Sequence, residues 1–340
     1  MLRHEISGVQ YLRGFAAMSV VVYHLSLQYN WLDSKSIELK TLQSGVDIFF
    51  VISGYIMFYS TDGGTNLPPV EFFKRRLVRI LPLYWLVTLT MIVVLLLAPQ
   101  LVKQSMLRFW HAVASLAFVP MLNPATKTNY SPLVAPGWTL NFEMLFYAIF
   151  AIGMAFNSRS PTKMIAIVIS PIVILSTIGL ALQPNGVLGV YTNPIMLEFA
   201  FGMLIAYATS NQKPRQAPLM YLALGILLAA LFLLPMPENS LRSFQFGILA
   251  SFIVTIAVLV KWPRLTLPLL VGDASYSIYL THFFVLSALA QLWKRFGLAA
   301  NPIYALSFYL VGIFTTVAVG ILCFQLIERP MTTRGKRLLR

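Results

Sequence analysis

The 340-residue sequence is poor in the side chains that bind metals through sulfur or imidazole. It has one cysteine, Cys323, which excludes a disulfide within the chain and a cluster of thiolate ligands around a metal. The four histidines are too scattered to indicate a zinc site by spacing; they are His4, His24, His111 and His282. We therefore predict that the protein holds no metal.

Charged residues are also scarce, at 11% of the sequence, whereas hydrophobic residues make up 58%. Long uncharged apolar runs are typical of helices that cross a lipid bilayer. The net charge of +14 would suit nucleic-acid binding, but the Lys and Arg residues occupy short gaps between apolar runs. That placement is typical of the positive-inside bias of membrane proteins. The sequence therefore predicts a polytopic membrane protein that contacts the bilayer and binds no nucleic acid.

Ten apolar runs have the length and composition of transmembrane helices. They fall at about 8–29, 44–60, 78–98, 139–156, 164–182, 190–209, 217–234, 243–260, 268–292 and 303–327. Apart from Arg13, this arrangement places 16 Lys and Arg residues in the cytoplasm and 8 outside, which favours cytoplasmic termini. We predict an all-α bundle of about ten transmembrane helices, a single domain over 1–340 with a basic cytoplasmic tail at 328–340.

The segment 99–137 interrupts this pattern. Its apolar part, 109–122, is short for a span, and runs of this length are more often interfacial or re-entrant. If it crossed the membrane, the later loops that are rich in Lys and Arg would lie outside. We therefore predict an external segment that contains a short interfacial helix.

The first apolar run carries a cation near its start, Arg13, and an imidazole near its far end, His24. In a helix, eleven steps of about 100° bring two side chains within roughly 20° of each other, about 16 Å apart along the axis. Ionisable groups inside spans are costly and are functional candidates. Imidazole exchanges protons near neutral pH, and guanidinium binds phosphate or carboxylate in a fork. The alternatives are a structural histidine and an arginine that snorkels to the membrane surface.

A second cationic group opens the third predicted helix, where Arg75, Arg76 and Arg79 share one face with i, i+3 and i+4 spacing, next to Lys74. Such a patch suits a polyanionic ligand such as a phosphorylated nucleotide. Cytoplasmic anchoring with contact to anionic lipid is an equal alternative.

Two carboxylates lie inside predicted spans, Glu143 and Asp47, and either one would suit the orientation of His24. Glu143 could also hold a substrate hydroxyl or form a structural pair. Trp138 and Tyr23 are candidate substrate contacts. His282, three residues beyond Tyr279, is assigned to packing and hydrogen bonding between helices.

At these residues the sequence resembles acyltransferase family 3, the integral-membrane O-acyltransferases that modify bacterial surface sugars. Six pieces carry the resemblance: Arg13 to His24, Gly45 to Tyr55, Arg76 to Trp85, Trp138 to Tyr147, Ser275 to His282, and Glu328-Arg329-Pro330. The size is similar to that of the stand-alone branch that acetylates exopolysaccharide or lipid-linked glycan.

The resemblance implies acetyl-CoA as the cytoplasmic donor, a catalytic histidine at His24 and an essential arginine at Arg13 near the donor. It also implies ten spans in the bacterial inner membrane. Our hypothesis is that the nucleotide end of the donor binds Arg13, Arg75, Arg76 and Arg79. His24 then acts as a general base, or as a covalent acyl carrier, toward a hydroxyl of a cell-surface or lipid-linked glycan. The alternative is a transporter or flippase for a glycan or small anion, with buried ionisable groups along its path.

Overall fold

The computed structural model describes residues 6–33, 37–99, 102, 105–156, 160–237, 241–298 and 302–338. Within these ranges the regular structure is helical, apart from one isolated backbone bridge between Arg215 and Val260. The all-α prediction is therefore confirmed. Four residues of the predicted external segment (100, 101, 103 and 104) and the last two of the predicted tail (339–340) lie outside the described residues.

Fourteen α-helices are seen in the described ranges. They are α1 (Ser7–Leu32), α2 (Gly45–Ser60), α3 (Pro69–Leu97), α4 (Phe109–Leu116), α5 (Trp138–Phe156), α6 (Pro161–Leu182), α7 (Gly186–Tyr191), α8 (Leu197–Ala208), α9 (Pro218–Leu233), α10 (Ile248–Leu259), α11 (Thr266–Asp273), α12 (Ser275–Arg295), α13 (Pro302–Cys323) and α14 (Arg329–Leu338). All ten predicted apolar runs are helical over most of their length, although two of them are broken.

Six helical stretches in the described residues are long and apolar enough to cross a membrane, or seven if α11 and α12 form one span bent by 72°. The predicted run 190–209 also breaks, between α7 and α8, where Pro194 begins a short 3₁₀ turn. The membrane-protein class is thus supported by composition and by helix length. The number of ten spans and the cytoplasmic termini stay predictions.

The apolar piece 109–122 contains the short helix α4, and its external, interfacial position stays a prediction. Its outer face is aromatic, with Phe109 and Trp110 71% and 68% exposed. Its inner face is held to α3, because the Tyr84 hydroxyl donates a hydrogen bond to the Ser115 carbonyl over 2.9 Å. The exposed aromatic face has the character of an interfacial helix.

Helix α2 lies at the centre of the bundle, with α1, α5, α8 and α10 packed around it. Two glycines allow its close approach to α8. A Cβ atom on Gly54 would lie 2.0 Å from the carbonyl oxygen of Phe199, and one on Gly202 would lie 2.0 Å from that of Val51. Small residues at such contacts are typical of packed membrane helices. This contact places α2 as one wall of the cavity described next.

Candidate functional site

A cavity of about 90 Å³ lies between α1, α2, α3, α5 and α12. Apolar side chains of α2 form much of its wall. Its polar lining consists of Arg13, Ser53, Arg79, Thr139, Glu143, Tyr147, Ser275, Tyr276 and Tyr279. Five helices from distant parts of the sequence therefore bring two cations, one carboxylate and three phenols to a single space.

Arg13 is one of the two cations on the cavity wall, and only 8% of it is exposed. Its Nη1 atom donates a hydrogen bond to Gln10 Oε1 over 3.1 Å. Close packing of the next residue fixes this turn, because a Cβ atom on Gly14 would lie 3.2 Å from the backbone nitrogen of Gly272. The carboxylates of Glu328, Asp273 and Glu143 are the negative charges that act on the guanidinium. A buried arginine with a fork of donors is suited to hold an anionic or carbonyl ligand.

Glu143, on α5, also lines the cavity. Its Oε1 atom accepts hydrogen bonds from Ser53 Oγ over 3.2 Å and from the Tyr147 hydroxyl. Glu143 thus shares the cavity with Arg13 and Arg79, as a site carboxylate should. The described hydrogen bonds do not join it to His24, so the structure does not support its predicted role in orienting that ring.

His24 has its Nδ1 atom 2.9 Å from the carbonyl oxygen of Val20 in the preceding turn of α1. Because a carbonyl only accepts hydrogen bonds, this contact assigns a proton to Nδ1, and in the neutral ring the lone pair then lies on Nε2. His24 is therefore held in the tautomer that a base acting through Nε2 requires.

The ring of His24 packs against His282 of α12, with the centroids 4.7 Å apart. His282 in turn lies 5.9 Å, centroid to centroid, from Tyr279. Tyr279 lines the cavity, whereas His24 is not among the lining residues. Of the two residues predicted to share a face of the first helix, Arg13 lines the cavity and His24 does not. His24 is connected to the cavity wall through His282, which contacts Tyr279.

His282 is fully buried. Its Nδ1 atom lies 2.6 Å from the carbonyl oxygen of Tyr279, and its Nε2 atom has no hydrogen-bond partner among the described residues. The sequence assigns His282 to helix packing and does not predict its contact with His24. The motif Ser275 to His282 could have indicated this role, because it is one of the six pieces that resemble the family and it contains a second histidine.

Asp47 is fully buried and forms an ion pair with Arg242. Arg242 donates to its carboxylate from Nη2 over 2.8 Å and from Nε over 3.2 Å. Burial lowers the pKa of the Arg242 guanidinium and the Asp47 carboxylate raises it, and the resulting pKa lies above the ordinary value. The described hydrogen bonds of Asp47 do not reach His24. The interpretation of Asp47 as an orienting group is therefore replaced by a structural ion pair.

The structure separates the three arginines that were predicted to bind the cofactor together. Arg75 is exposed and forms an ion pair with Glu71 one turn earlier. Arg76 donates from Nη2 to Ser60 Oγ over 3.2 Å, and its guanidinium carbon lies 5.5 Å from the centroid of the Phe72 ring. Arg79 alone of the three lines the cavity.

The two candidate substrate contacts lie in aromatic surroundings. Trp138 begins α5 and packs against Phe50 and Phe142, at centroid distances of 6.3 and 5.8 Å. Tyr23 packs against His24 at 4.9 Å. Trp138 is not among the cavity-lining residues, whereas Tyr23 is next to the histidine pair.

Among the described residues, no three His, Cys, Asp or Glu side chains gather as a metal ion would require. The absence of a metal in the working protein stays a prediction.

Comparison of the sequence with known proteins identifies the family of the chain. A family model described as an acyltransferase domain matches residues 6–325. The exopolysaccharide production protein ExoZ of Rhizobium meliloti is 37% identical over 309 residues, covering 86% of this chain and 90% of that protein. No solved structure matches the chain.

Two further relatives are named as O-acetyltransferases, one of them as a putative one. The O-acetyltransferase OatA of Staphylococcus aureus is 25% identical, and the putative peptidoglycan O-acetyltransferase YrhL of Bacillus subtilis is 28% identical. The matches cover 97% and 98% of this chain, but only 58% and 56% of those proteins. The chain therefore spans a little over half the length of these two relatives. The family model and the relatives confirm the resemblance seen in the sequence: the chain belongs to acyltransferase family 3 and is an acyltransferase.

Proposed function

We propose that this protein is an O-acetyltransferase of the bacterial inner membrane. It moves an acetyl group from cytoplasmic acetyl-CoA to a hydroxyl of a cell-surface or lipid-linked glycan, and it crosses the membrane ten times with both termini inside. The relatives named for exopolysaccharide production and for peptidoglycan O-acetylation support this class of acceptor.

One observation carries the proposal: two ring contacts connect a cavity lined by two arginines to His24, whose Nδ1 atom lies 2.9 Å from the Val20 carbonyl oxygen. Arg13 and Arg79 line the cavity, and Tyr279 on its wall leads through His282 to His24. The cations of the cavity suit the phosphates and carbonyls of a coenzyme donor, and a base beyond its wall suits an acceptor hydroxyl.

In the proposed reaction, His24 Nε2 takes the proton of the acceptor hydroxyl as its oxygen attacks the thioester carbonyl. The carbon–sulfur bond then breaks, and the departing thiolate takes that proton from the imidazolium to give free CoA. Glu143, on the cavity wall, holds a substrate hydroxyl. The buried site limits hydrolysis of the thioester by water.

A variant of this mechanism begins with attack of His24 Nε2 on the thioester, which forms an acetyl-histidine before the sugar reacts. The two routes differ in whether the protein itself carries label. Acid quenching after one turnover with acetyl-labelled donor and no acceptor distinguishes them, because only the covalent route leaves acetyl on the protein.

The test of the function is label transfer from acetyl-CoA to a surface-glycan fraction in membranes that contain the wild type or His24→Ala. General acid–base catalysis contributes about 10²–10⁴-fold, so the variant should lose at least about a hundredfold. His111→Ala is the matched control, because His111 is also a buried histidine but is not among the residues that line the cavity. Normal insertion with full transfer by His24→Ala would overturn the mechanism. Glycan movement without acetylation would favour the transporter alternative.

A further inference from the structure

Six hydroxyl groups line the cavity, and five of them donate hydrogen bonds to acceptors within the protein. The acceptors are the Glu143 carboxylate for Ser53 and Tyr147, the Pro136 carbonyl oxygen for Thr139 and Tyr279, and the Ile80 carbonyl oxygen for Tyr276. The sixth hydroxyl, that of Ser275, has no hydrogen-bond partner among the described residues. Ser275 is therefore the odd member of the cavity's hydroxyl groups.

Ser275 is fully buried at the start of α12. A buried hydroxyl that makes no hydrogen bond is unfavourable, so its presence needs an explanation. Other buried polar atoms also lack a partner in the described ranges, such as the Ser176 hydroxyl of α6, but Ser275 is the residue among them that lines the cavity. A molecule that enters the cavity can supply the missing acceptor.

Two contacts with α1 fix the level of Ser275 in the bundle. A Cβ atom on Gly14 would lie 3.2 Å from the backbone nitrogen of Gly272. Ten residues further along both segments, the rings of His24 and His282 meet with their centroids 4.7 Å apart. Ser275 follows Gly272 by three residues and precedes His282 by seven, which is about 10 Å along a helix. Ser275 thus lies between the level of Gly14 and the histidine pair.

This level selects the part of a coenzyme donor that Ser275 would meet. In the proposed reaction the thioester lies at His24, and the phosphates suit the cations of the cavity. The part between them is the pantetheine arm, a flexible chain whose amide carbonyl oxygens accept hydrogen bonds. The Arg13 and Arg79 guanidinium groups can only donate, so a ligand rich in acceptor oxygens suits this cavity.

We propose that the Ser275 hydroxyl donates a hydrogen bond to an amide carbonyl of the pantetheine arm, which makes Ser275 a binding residue for the acyl donor. This inference rests on the proposed function. It explains why this hydroxyl has no acceptor within the described part of the protein, while the other hydroxyls of the cavity do.

The experiment measures binding to full-length protein in phosphatidylcholine nanodiscs by calorimetry. Three probes divide the donor into parts: CoA, pantetheine, which has the arm without the nucleotide, and adenosine diphosphate, which has the nucleotide without the arm. Ser275→Ala removes the hydroxyl. Ser176→Ala is the matched control, because Ser176 is also a buried serine without a partner among the described residues but does not line the cavity.

We expect Ser275→Ala to weaken the binding of CoA and of pantetheine by the same factor, about fivefold, which is the typical effect of one hydrogen bond. Adenosine diphosphate binding should not change, and Ser176→Ala should bind all three probes as the wild type does. The unfolding temperature of Ser275→Ala should be unchanged or higher, because the substitution removes a hydroxyl without a partner.

Initial rates of acetyl transfer separate the amide from the thioester. A contact with an amide is made equally in the ground state and in the transition state, so Ser275→Ala should raise the KM for acetyl-CoA and leave kcat unchanged. A contact with the thioester carbonyl would strengthen in the transition state. A lower kcat with unchanged pantetheine affinity would therefore overturn the inference.

Equal affinities of Ser275→Ala and the wild type for CoA and pantetheine would also overturn the inference and leave the proposed function intact. Weaker binding of adenosine diphosphate would overturn it in favour of a phosphate contact. A wild-type protein that binds neither CoA nor pantetheine would instead refute the proposed donor.

Discussion

His24 and His282 meet edge to face, with their ring centroids 4.7 Å apart and their planes inclined by 60°. They come from α1 and α12, at opposite ends of the chain. Each Nδ1 atom lies close to a carbonyl oxygen of its own helix, of Val20 for His24 and of Tyr279 for His282. These contacts assign the proton of each neutral ring to Nδ1 and its lone pair to Nε2, and the pair is the centre for proton transfer in the mechanism that we propose.

The first prediction concerns His282, whose Nε2 atom is buried without a partner among the described residues. His282→Asn keeps a donor for the Tyr279 carbonyl but removes the atom at the Nε2 position, so acetyl transfer should fall at least about tenfold. His282→Gln places an amide atom near that position and should retain more activity than His282→Asn. Transfer rates of both variants in matched membranes test this order.

If His282 only fills space, the transfer rates of His282→Asn and His282→Gln should instead follow the stabilities of the two variants. Thermal unfolding in detergent provides that comparison. Asn and Gln variants with equal transfer rates would contradict a role for the Nε2 position.

The second prediction separates the arginines that the sequence grouped together. Arg13→Lys and Arg79→Lys keep the charge but lose the planar fork, so each should raise the KM for acetyl-CoA several-fold. Arg75→Lys should leave the KM within about twofold, because Arg75 is exposed and already paired with Glu71. Initial rates against donor concentration measure this. A larger effect at Arg75 than at Arg13 would show that the cavity is not the donor path.

The third prediction concerns the buried ion pair between Asp47 and Arg242. Removing one partner of such a pair leaves an uncompensated charge, which costs about 3–5 kcal/mol. Arg242→Met should therefore lower the unfolding temperature sharply, and the double variant Asp47→Leu with Arg242→Met should recover much of the loss. Denaturation of purified protein in detergent measures both. Unchanged stability of Arg242→Met would argue against a structural pair.

The fourth prediction concerns the glycines between α2 and α8. Gly54→Ala and Gly202→Ala would each place a methyl group about 2.0 Å from a carbonyl oxygen. Overpacking of this kind costs about 1–3 kcal/mol, so both variants should unfold at lower temperature. Gly225→Ala on α9 is the control, since a Cβ atom there meets nothing within 4 Å. It should be neutral or slightly stabilising. Tolerance of alanine at Gly202 would mean that α2 and α8 lie further apart.

The helical class, the approximate helix positions and the family followed from the sequence. These features depend on apolar runs and on short motifs, such as Arg13 to His24. Each run or motif lies within one continuous stretch of the sequence. The sequence also indicated that 109–122 is too short to be a typical transmembrane helix, because a helix must reach a minimum length to cross a bilayer. The break between α7 and α8 at Pro194 and the 72° bend between α11 and α12 did not follow from the sequence, since backbone direction depends on packing against neighbours.

Only the tertiary structure decided which ionisable groups meet. The sequence marked Asp47, Glu143 and His24 as buried polar residues in need of partners. It did not show that Arg242 binds Asp47, that Glu143 lines a cavity with Arg13, or that His282 lies against His24. Each of these contacts joins helices far apart in the chain. A periodicity fixes the face of one helix, but the partner of that face depends on how all the helices pack together.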